Sequence, residues 1–284
     1  MEKKISLLVV LLFITGSIFA SNNESLINKE DAPVQFFAEY EKGLITVLSH
    51  TIQIGSTGTP FNYVTQGGQD ILFPFDRINV GAVINNRHRV SFLYQPLEIN
   101  TVVPFESDVV IDGKTFSGPM ELKYGFPFWR ITYSYDLMEE DDITIGIGAA
   151  LQIRNASIIF KAVDGSQVSV SQNVGLVPAL HVYSMWKTPI GINLYADITG
   201  LYASSAFING ADFEFEGSIL DASLRVGYQL RNNIEIFGNI RFFGGTSKGT
   251  SSYAGTNWSV SSTGDRFSQN NIASLTSTIG LTIR

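Results

Sequence analysis

The chain of 284 residues contains no cysteine, and this absence excludes disulfide frameworks, thiolate metal sites and cysteine nucleophiles. Histidine is almost as scarce, because only His50, His88 and His181 are present, too few for a histidine-rich metal centre. Charged residues form only 16% of the chain, and the formal net charge is −7. Since nucleic-acid binding needs a basic face, that class of partner is not expected. We predict neither a cofactor nor a bound metal.

Long apolar runs are also missing outside the N-terminus. Residues 1–20 contain Lys3 and Lys4, then a short apolar stretch, then small residues that end at Ala20. The apolar stretch is shorter than the ~20 residues of a membrane-spanning helix, so we predict a cleaved secretory signal peptide and not a transmembrane helix. We expect residues 21–40 to form a polar periplasmic lead-in and residues 41–284 to form a single barrel domain.

Two kinds of break divide the mature chain into strand-sized segments. Four short polar breaks recur at near-regular spacing, at 85–87, 138–142, 187–189 and 231–233. Five further breaks alternate with these four, at Gly55–Gly68, Asp112-Gly113, Asp164-Gly165, Asn209-Gly210 and Gly244–Gly264. Asp-Gly and Asn-Gly between alternating runs are strong hairpin signals, so the sequence predicts five hairpins, or ten strands.

Apolar and polar residues alternate strictly within these segments. In 143–154 the odd positions from Ile143 to Ile153 are apolar, and the even positions are small or polar. Similar alternation occurs in 190–199, 220–230, 234–242 and 273–283. A period of two gives each strand one apolar and one polar face. We predict apolar-face positions for Ile147 and Leu224, and polar-face positions for Gln152 and Arg225.

A soluble β-sandwich or a membrane barrel could bury such faces, and strand length favours the barrel. The apolar faces persist for the ~9–11 residues that cross a bilayer at a tilt, and aromatic residues cluster near their ends, as in 129–135. We therefore predict an all-β fold, a transmembrane antiparallel up-and-down β-barrel of about ten strands. Both ends then lie in the periplasm, the short breaks are periplasmic turns, and the longer breaks are extracellular.

Three prolines fall inside strand-like runs. We interpret Pro74, Pro96 and Pro127 as marks of bulges, with a shift in the alternation beside the last two. The longest predicted extracellular loop is 244–264.

Several segments carry a resemblance to known proteins. The signal peptide, the five hairpins and the amphipathic last strand resemble those of small bacterial outer-membrane β-barrel proteins, of the uncharacterised OmpA/OmpW-like barrel group. The segments RHRVSFLYQPLEI, YGFPFWRITYSYDL and ILDASLRVGYQL look like theirs. The last residues, 281–284, lack the terminal aromatic that is usual in this group. The resemblance implies a location in the bacterial outer membrane, contact with its lipid and lipopolysaccharide, and the barrel-assembly machinery as a partner during biogenesis.

The sequence lacks the motifs of two known classes of enzymatic barrel. Lipid A deacylases look like barrels with a His and a Ser two residues apart on one face, but here His50 precedes Ile52 and His181 precedes Tyr183 at that spacing. Omptin-type proteases need an Asp–His pair and an acidic pair at the extracellular rim, where this sequence places no histidine. We therefore expect no enzyme activity. Acidic residues at the rim are predicted to be solvated, with binding of a divalent ion as the alternative.

The polar faces carry a nearly balanced set of charges that the phase directs into the lumen. These residues are Arg77, Arg89, Glu98, Arg130, Asp136, Arg154, Asp197, Asp221, Arg225, Glu235 and Arg241. A ten-strand barrel is little wider than its side chains, and a buried charge is tolerated only when it is paired or hydrated. Two interpretations stay open, a paired network that plugs the lumen and a narrow, weakly selective pore. Removal of one arginine, such as Arg154, is expected to leave a carboxylate without a partner.

Two classes of function follow from these interpretations. With a closed lumen, the protein has a structural or surface-interaction role. With an open lumen, it is a small porin or a transporter of small solutes. A barrel hydrolase that acts on lipid or peptide is a third and less favoured class.

Overall fold

The computed structural model describes residues 33–139, 142–204, 214–250 and 267–284. Within these ranges the chain forms strands and turns, and no helix there is long and apolar enough to cross a membrane. The strands are β1 (Val34–Ile54), β2 (Phe61–Asn62), β3 (Leu72–Ile84), β4 (His88–Gln95), β5 (Glu98–Ile111), β6 (Lys114–Gly125), β7 (Phe128–Glu139), β8 (Ile143–Ala162), β9 (Val168–Lys187), β10 (Ile192–Ser204), β11 (Glu214–Arg231), β12 (Ile234–Thr250) and β13 (Phe267–Ile283).

The sheet closes on itself because β1 pairs with β3 on one side and with β13 on the other. Around the barrel the order is β1, β3, β4, β7, β8, β9, β10, β11, β12 and β13, and every pairing is antiparallel. This confirms the predicted closed barrel of ten strands. The first strand begins at Val34, so residues 34–40 belong to the barrel and not to the expected lead-in. The predicted signal peptide lies outside the described residues.

Pro96 and Pro127 interrupt one long hairpin without changing its phase. They separate β4 from β5 and β6 from β7, since proline brings no N–H to the ladder. The Phe126 amide still donates to the Leu97 carbonyl at 2.7 Å across the break. Inward and outward residues keep alternating through both prolines. The predicted phase shift is therefore wrong at these two positions. The bulge predicted at Pro74 is wrong as well, because Pro74 pairs with Leu44 of β1 without a register shift.

A true phase change occurs instead in β1. Val47 pairs with Ser274 and Ser49 pairs with Ala273, so Leu48 is an extra residue in a β-bulge. The bulge turns both Val47 and the later His50 into the barrel. This explains why β1 alternates poorly when its sequence is read with a constant period.

The segment between β1 and β3 completes the wall above β3. It carries β2, in which Phe61 pairs with Ile52 of β1, and its Thr59 amide donates to the Val110 carbonyl of β5 at 2.8 Å. Residues 55–71 thus bridge β1 and β5 where the shorter β3 has already ended. They close the barrel by folding into its wall and interior.

The predicted turns match the structure at several positions. Asn85 and Asn86 both have positive φ, 50° and 56°, as does the Asp112-Gly113 pair at 52° and 70°. Two successive left-handed residues are typical of tight hairpin turns. Asn209-Gly210 lies outside the described residues. The predicted loop 244–264 starts too early, because β12 continues to Thr250 between β11 and β13.

An apolar belt surrounds the barrel. Ile147 and Leu224 point outward and are 49% and 70% exposed, whereas Gln152 is 1% exposed and points inward. Arg225 also points inward. All four predicted facings are confirmed. Further belt residues are Phe36, Leu44, Phe92, Ile131, Tyr133, Leu180, Val182, Trp186, Ile198, Tyr228, Ile240 and Ile279.

Candidate functional site: the barrel interior

The interior contains two zones with different chemistry. We call the zone near the short turns, which are periplasmic in barrels of this class, the lower lumen. It is defined by the inward charged residues Glu39, Glu41, Arg77, Arg89, Arg130, Asp136, Asp197, Asp221, Arg225, Glu235 and Arg241. We call the extracellular zone the upper chamber. It is defined by inward apolar residues that include Phe61, Tyr63, Phe116, Met120, Leu122, Tyr124, Phe126, Phe128, Ile158, Phe160 and Phe243.

Asp221 is the centre of the lower lumen. Its side chain is fully buried, with Arg241 Nη1 at 2.6 Å, Arg130 Nη1 at 2.7 Å and Arg77 Nη1 at 3.6 Å. The three guanidinium groups come from β12, β7 and β3, on different sides of the barrel. Charge-assisted pairs of this kind are the strong hydrogen bonds of proteins. Asp221 therefore joins distant parts of the wall through the middle of the bore.

Glu41 provides the second carboxylate of this cluster. Its Oε1 lies 3.8 Å from Arg77 Nε and 3.7 Å from Arg241 Nη2. Its Oε2 accepts hydrogen bonds from Asn239 Nδ2 and Thr278 Oγ1, both at 2.8 Å. Arg77 and Arg241 thus lie between two carboxylates, while Arg130 also donates to Gln152 Oε1 at 2.8 and 3.0 Å. The charges compensate one another across the barrel.

A second cluster surrounds Arg225 nearer the periplasm. Its Nη1 and Nη2 lie 2.7 Å from Glu39 Oε1 and Glu235 Oε1, respectively. Its guanidinium also stacks 3.5 Å from the centre of the Phe237 ring. Glu235 is fully buried and accepts further bonds from Asn193 Nδ2 at 2.8 Å and from the Tyr195 hydroxyl at 2.9 Å.

Two smaller groups complete the lower lumen. Arg89 lies over the rings of Phe37 and Tyr183, and the Tyr183 hydroxyl donates to Asp136. His181 contacts Thr199 Oγ1 through Nδ1 at 2.9 Å, and its Nε2 lies 3.6 Å from Asp197 Oδ2.

Ten of the eleven charged residues assigned to the lumen from sequence lie inside the barrel. Glu98 does not, because the alternation continues through Pro96 and turns this side chain outward, where it pairs with Lys123 Nζ at 2.8 Å. Arg154 is inside, but it lies in the upper chamber and has no carboxylate partner among the described residues. The expectation that its removal strands a carboxylate is therefore wrong.

Sequence reasoning missed Glu39 and Glu41, two main carboxylates of the lower lumen. The bulge at Leu48 obscured the phase of β1. The signal was nevertheless present, because Phe36, Tyr40 and Leu44 alternate with these two acids before the bulge. They supply the negative charge that Arg77, Arg225 and Arg241 need.

The upper chamber was also missed, and it is packed like a soluble protein core. Phe61 of the 55–71 segment lies 5.3 Å from the ring centre of Phe160 and 5.4 Å from that of Phe105. His50 stacks on Tyr63 at 4.4 Å, and its Nδ1 lies 2.7 Å from Gln69 Oε1. Aromatic packing of this kind fills space above the lower lumen.

The donor set of the interior does not form a metal site. Within the described residues, no group of three or more His, Asp or Glu side chains is placed to hold a metal ion. The carboxylates of the lower lumen are bound to guanidinium groups instead.

Comparison with known proteins supports the fold and gives no close relative. No protein-family model matches the chain, and no curated protein matches its sequence. The solved structure of the outer membrane protease OmpT from Escherichia coli matches with a TM-score of 0.53 at 10% identity, over 92% of this chain and 99% of that chain.

Two further solved structures match with TM-scores below that of OmpT. Neisserial surface protein A has a TM-score of 0.31 at 12% identity, over 89% of this chain and 99% of that chain. Ail, the attachment invasion locus protein of Yersinia pestis, has a TM-score of 0.32 at 8% identity, over 87% of this chain and 99% of that chain.

The fold defines the class of protein. A closed antiparallel barrel with an outward apolar belt and a polar lower interior is the architecture of outer-membrane barrels. The chain therefore has the fold of a bacterial outer-membrane β-barrel protein.

Proposed function

We propose that this protein is a closed outer-membrane barrel with a structural or surface-interaction role, and not an open porin. The observation that carries the proposal is the fully buried Asp221 with guanidinium groups of Arg241, Arg130 and Arg77 around it. These side chains meet in the bore from three sides of the wall. A solute path through them would require the separation of buried ion pairs, which is strongly unfavourable.

The upper chamber supports the same proposal. Residues 55–71 place Phe61 and Tyr63 inside the barrel, and both side chains are fully or almost fully buried. A hydrated solute that passed the lower lumen would meet apolar side chains in close packing. We infer that the functional surface of the protein is its exterior, which meets lipid and lipopolysaccharide at the belt and the surroundings of the cell at the extracellular turns.

A swelling assay tests the closed lumen. Proteoliposomes with the purified chain should not swell in isotonic solutions of small sugars or amino acids, whereas liposomes with a general porin should swell quickly. Swelling at a rate comparable to that of the porin would contradict the proposal and favour the transporter alternative.

The proposal assigns no hydrolytic role to the chain. This part of the proposal is supported by His181, which is buried in the lower lumen and bound to Thr199, away from the extracellular rim. Reconstituted protein should not release product from lipid A or peptide substrates. Turnover that His181→Ala or His50→Ala abolishes would show that a histidine acts in catalysis.

A further inference from the structure

The barrel wall contains a local opening between β9 and β10. These strands pair from Asn193–Lys187 to Gly200–Leu180, where the pairing stops. Beyond this point β9 continues toward the extracellular side with β8 as its partner, and β10 continues to Ser204 with β11. Pro178 lies just past the last pair and has no N–H to offer. Among the described residues, the end of β10 up to Ser204 and the facing part of β9 thus have no ladder between them.

A cavity of about 90 Å³ lies directly behind this opening. Val177 and Pro178 of β9 and Leu201 and Ala203 of β10 form its mouth, and Phe243 is part of its inner wall. The lining is mostly apolar. The volume is sufficient for a short alkyl segment or a small polar group and too small for a sugar-phosphate headgroup.

Arg154 is the charged group of this cavity. It points inward from β8 and crosses β9 at Gly175, where an added Cβ would lie 2.8 Å from its Nε. The guanidinium lies 5.9 Å from the Phe126 ring centre, and Nε is buried without a hydrogen-bond partner. Arg77, Arg130, Arg225 and Arg241 all face carboxylates, whereas Arg154 faces none among the described residues.

A guanidinium beside apolar side chains needs either water or a counter-charge, and a ligand in the cavity can bring the counter-charge. The planar fork of arginine matches a carboxylate through two parallel hydrogen bonds. Since the cavity offers a single positive charge and an apolar lining, its chemistry fits one carboxylate attached to an alkyl chain.

The opening borders the apolar belt. Leu176 and Leu180 on the outer face of β9 are 63% and 62% exposed, as membrane-facing side chains are. Further along the outer face of β9, Gln172 lies between the exposed Val174 and Val170, and its Nε2 donates to Asn155 Oδ1 at 3.0 Å, so polar groups appear here among apolar ones. An amphiphile in the outer leaflet has its charged group at this boundary and its chain in the belt.

We propose that the opening between β9 and β10 is a binding site for an alkyl carboxylate from the outer leaflet, with its carboxylate bound to Arg154. The chain of the ligand lies along Val177, Pro178 and Leu201. This site is lateral and is independent of the closed lower lumen, so its test and the swelling assay can fail separately.

Photolabelling in phosphatidylcholine nanodiscs tests the site. A dodecanoate that carries a diazirine in its chain should label peptides from β9 and β10, and free dodecanoate should compete, whereas dodecanol should not. Arg154→Gln should reduce this labelling at least tenfold, because glutamine lacks the positive charge and the planar fork that bind a carboxylate through two hydrogen bonds. Arg231→Gln, at an exposed periplasmic turn, is the matched charge control and should label like the wild type.

A second variant tests the cavity while it leaves the charge of Arg154 in place. Ala203→Phe should fill the cavity and also abolish the labelling, with folding checked by the change in gel mobility before and after boiling. Equal labelling of the wild type and Arg154→Gln, or uniform labelling of the whole belt, would overturn the proposal. Competition by lipopolysaccharide but not by dodecanoate would overturn the carboxylate and identify a lipid phosphate as the ligand.

Discussion

The lower lumen and the upper chamber lie in one continuous barrel, yet their walls have opposite polarity. On β8, Gln152 points into the lower lumen while Ile147 faces lipid. Further along the same strand, Phe160 is buried in the upper chamber, while Lys161 points outward and pairs with Glu121 at 2.7 Å. On β8 the period of two continues through both zones, but the apolar face moves from outside to inside. The neighbouring β9 differs, because Val170 and Val174 on its outer face are 55% and 63% exposed.

On β8 this difference follows the medium outside the wall. Where lipid surrounds the barrel, apolar side chains lie outward, and the inward positions carry paired polar groups. Where water surrounds it, the inward side chains form a hydrophobic core. The change of the apolar face along β8 therefore indicates the level at which this strand leaves the membrane.

The largest expected effect is on the lower lumen. Asp221→Ala removes the carboxylate from three buried guanidinium groups and should lower the free energy of unfolding by about 3–5 kcal/mol. Urea unfolding in lipid vesicles, followed by tryptophan fluorescence, measures the change. Glu121→Ala removes one member of a half-exposed pair with Lys161 and should cost less than about 1 kcal/mol. Equal losses would show that the lower-lumen pairs are no more important than surface pairs.

The upper chamber is tested by two adjacent isoleucines. Ile158 is buried and Ile159 points outward, above the belt. Ile158→Ala should destabilise the barrel by about 2–5 kcal/mol, because it leaves a cavity in a packed core. Ile159→Ala should have a much smaller effect in the same unfolding assay. The reverse order would mean that the inward face of β8 is assigned to the wrong residues.

The position of the membrane is tested on the outer face of the same strand. Ile147→Arg, within the belt, should cost about 2–4 kcal/mol, whereas Ile159→Arg should cost about 0–1 kcal/mol near or above the interface. Folding yields into vesicles and unfolding free energies give both values. Similar penalties at both positions would place Ile159 in lipid and contradict the polarity change along β8.

The smallest expected effect distinguishes two arginines. Arg154→Gln should change the unfolding free energy by less than about 1 kcal/mol, since no carboxylate among the described residues loses a partner. Arg130→Gln should cost several times more, because Asp221 loses a contact at 2.7 Å. A large loss from Arg154→Gln would reveal an ionic contact that its position in the cavity does not explain.

The fold and the facing of most strands could be predicted from the sequence, because period-two alternation and turn residues are local signals. The facings of Ile147, Leu224, Gln152 and Arg225 depend on nothing else. The bulge at Leu48 could not be placed, since it depends on pairing with β13. The predicted lumen position of Glu98 is wrong because Pro96 interrupts the ladder but does not change the alternation of inward and outward residues.

The candidate sites depend on contacts across the barrel, which local patterns do not determine. The segment 55–71 reads as an ordinary extracellular loop, and only the bridge from β1 to β5 shows that it fills the upper chamber. Balanced charge was visible in the sequence, but the pairing of Arg225 with Glu39 joins residues far apart in the chain. Among the described residues no carboxylate lies beside Arg154. This depends on the strands around the chamber, so the sequence of β8 alone could not predict it.

The most direct test of the closed lower lumen is single-channel recording in planar bilayers, with the wild type beside Asp221→Ala. The account predicts no steady conductance from the wild type, because ion pairs around Asp221 occupy the bore. It predicts transient openings from folded Asp221→Ala, in which three guanidinium groups repel one another. A large and stable conductance from the unmutated protein would contradict the account and show that a continuous water path crosses both zones.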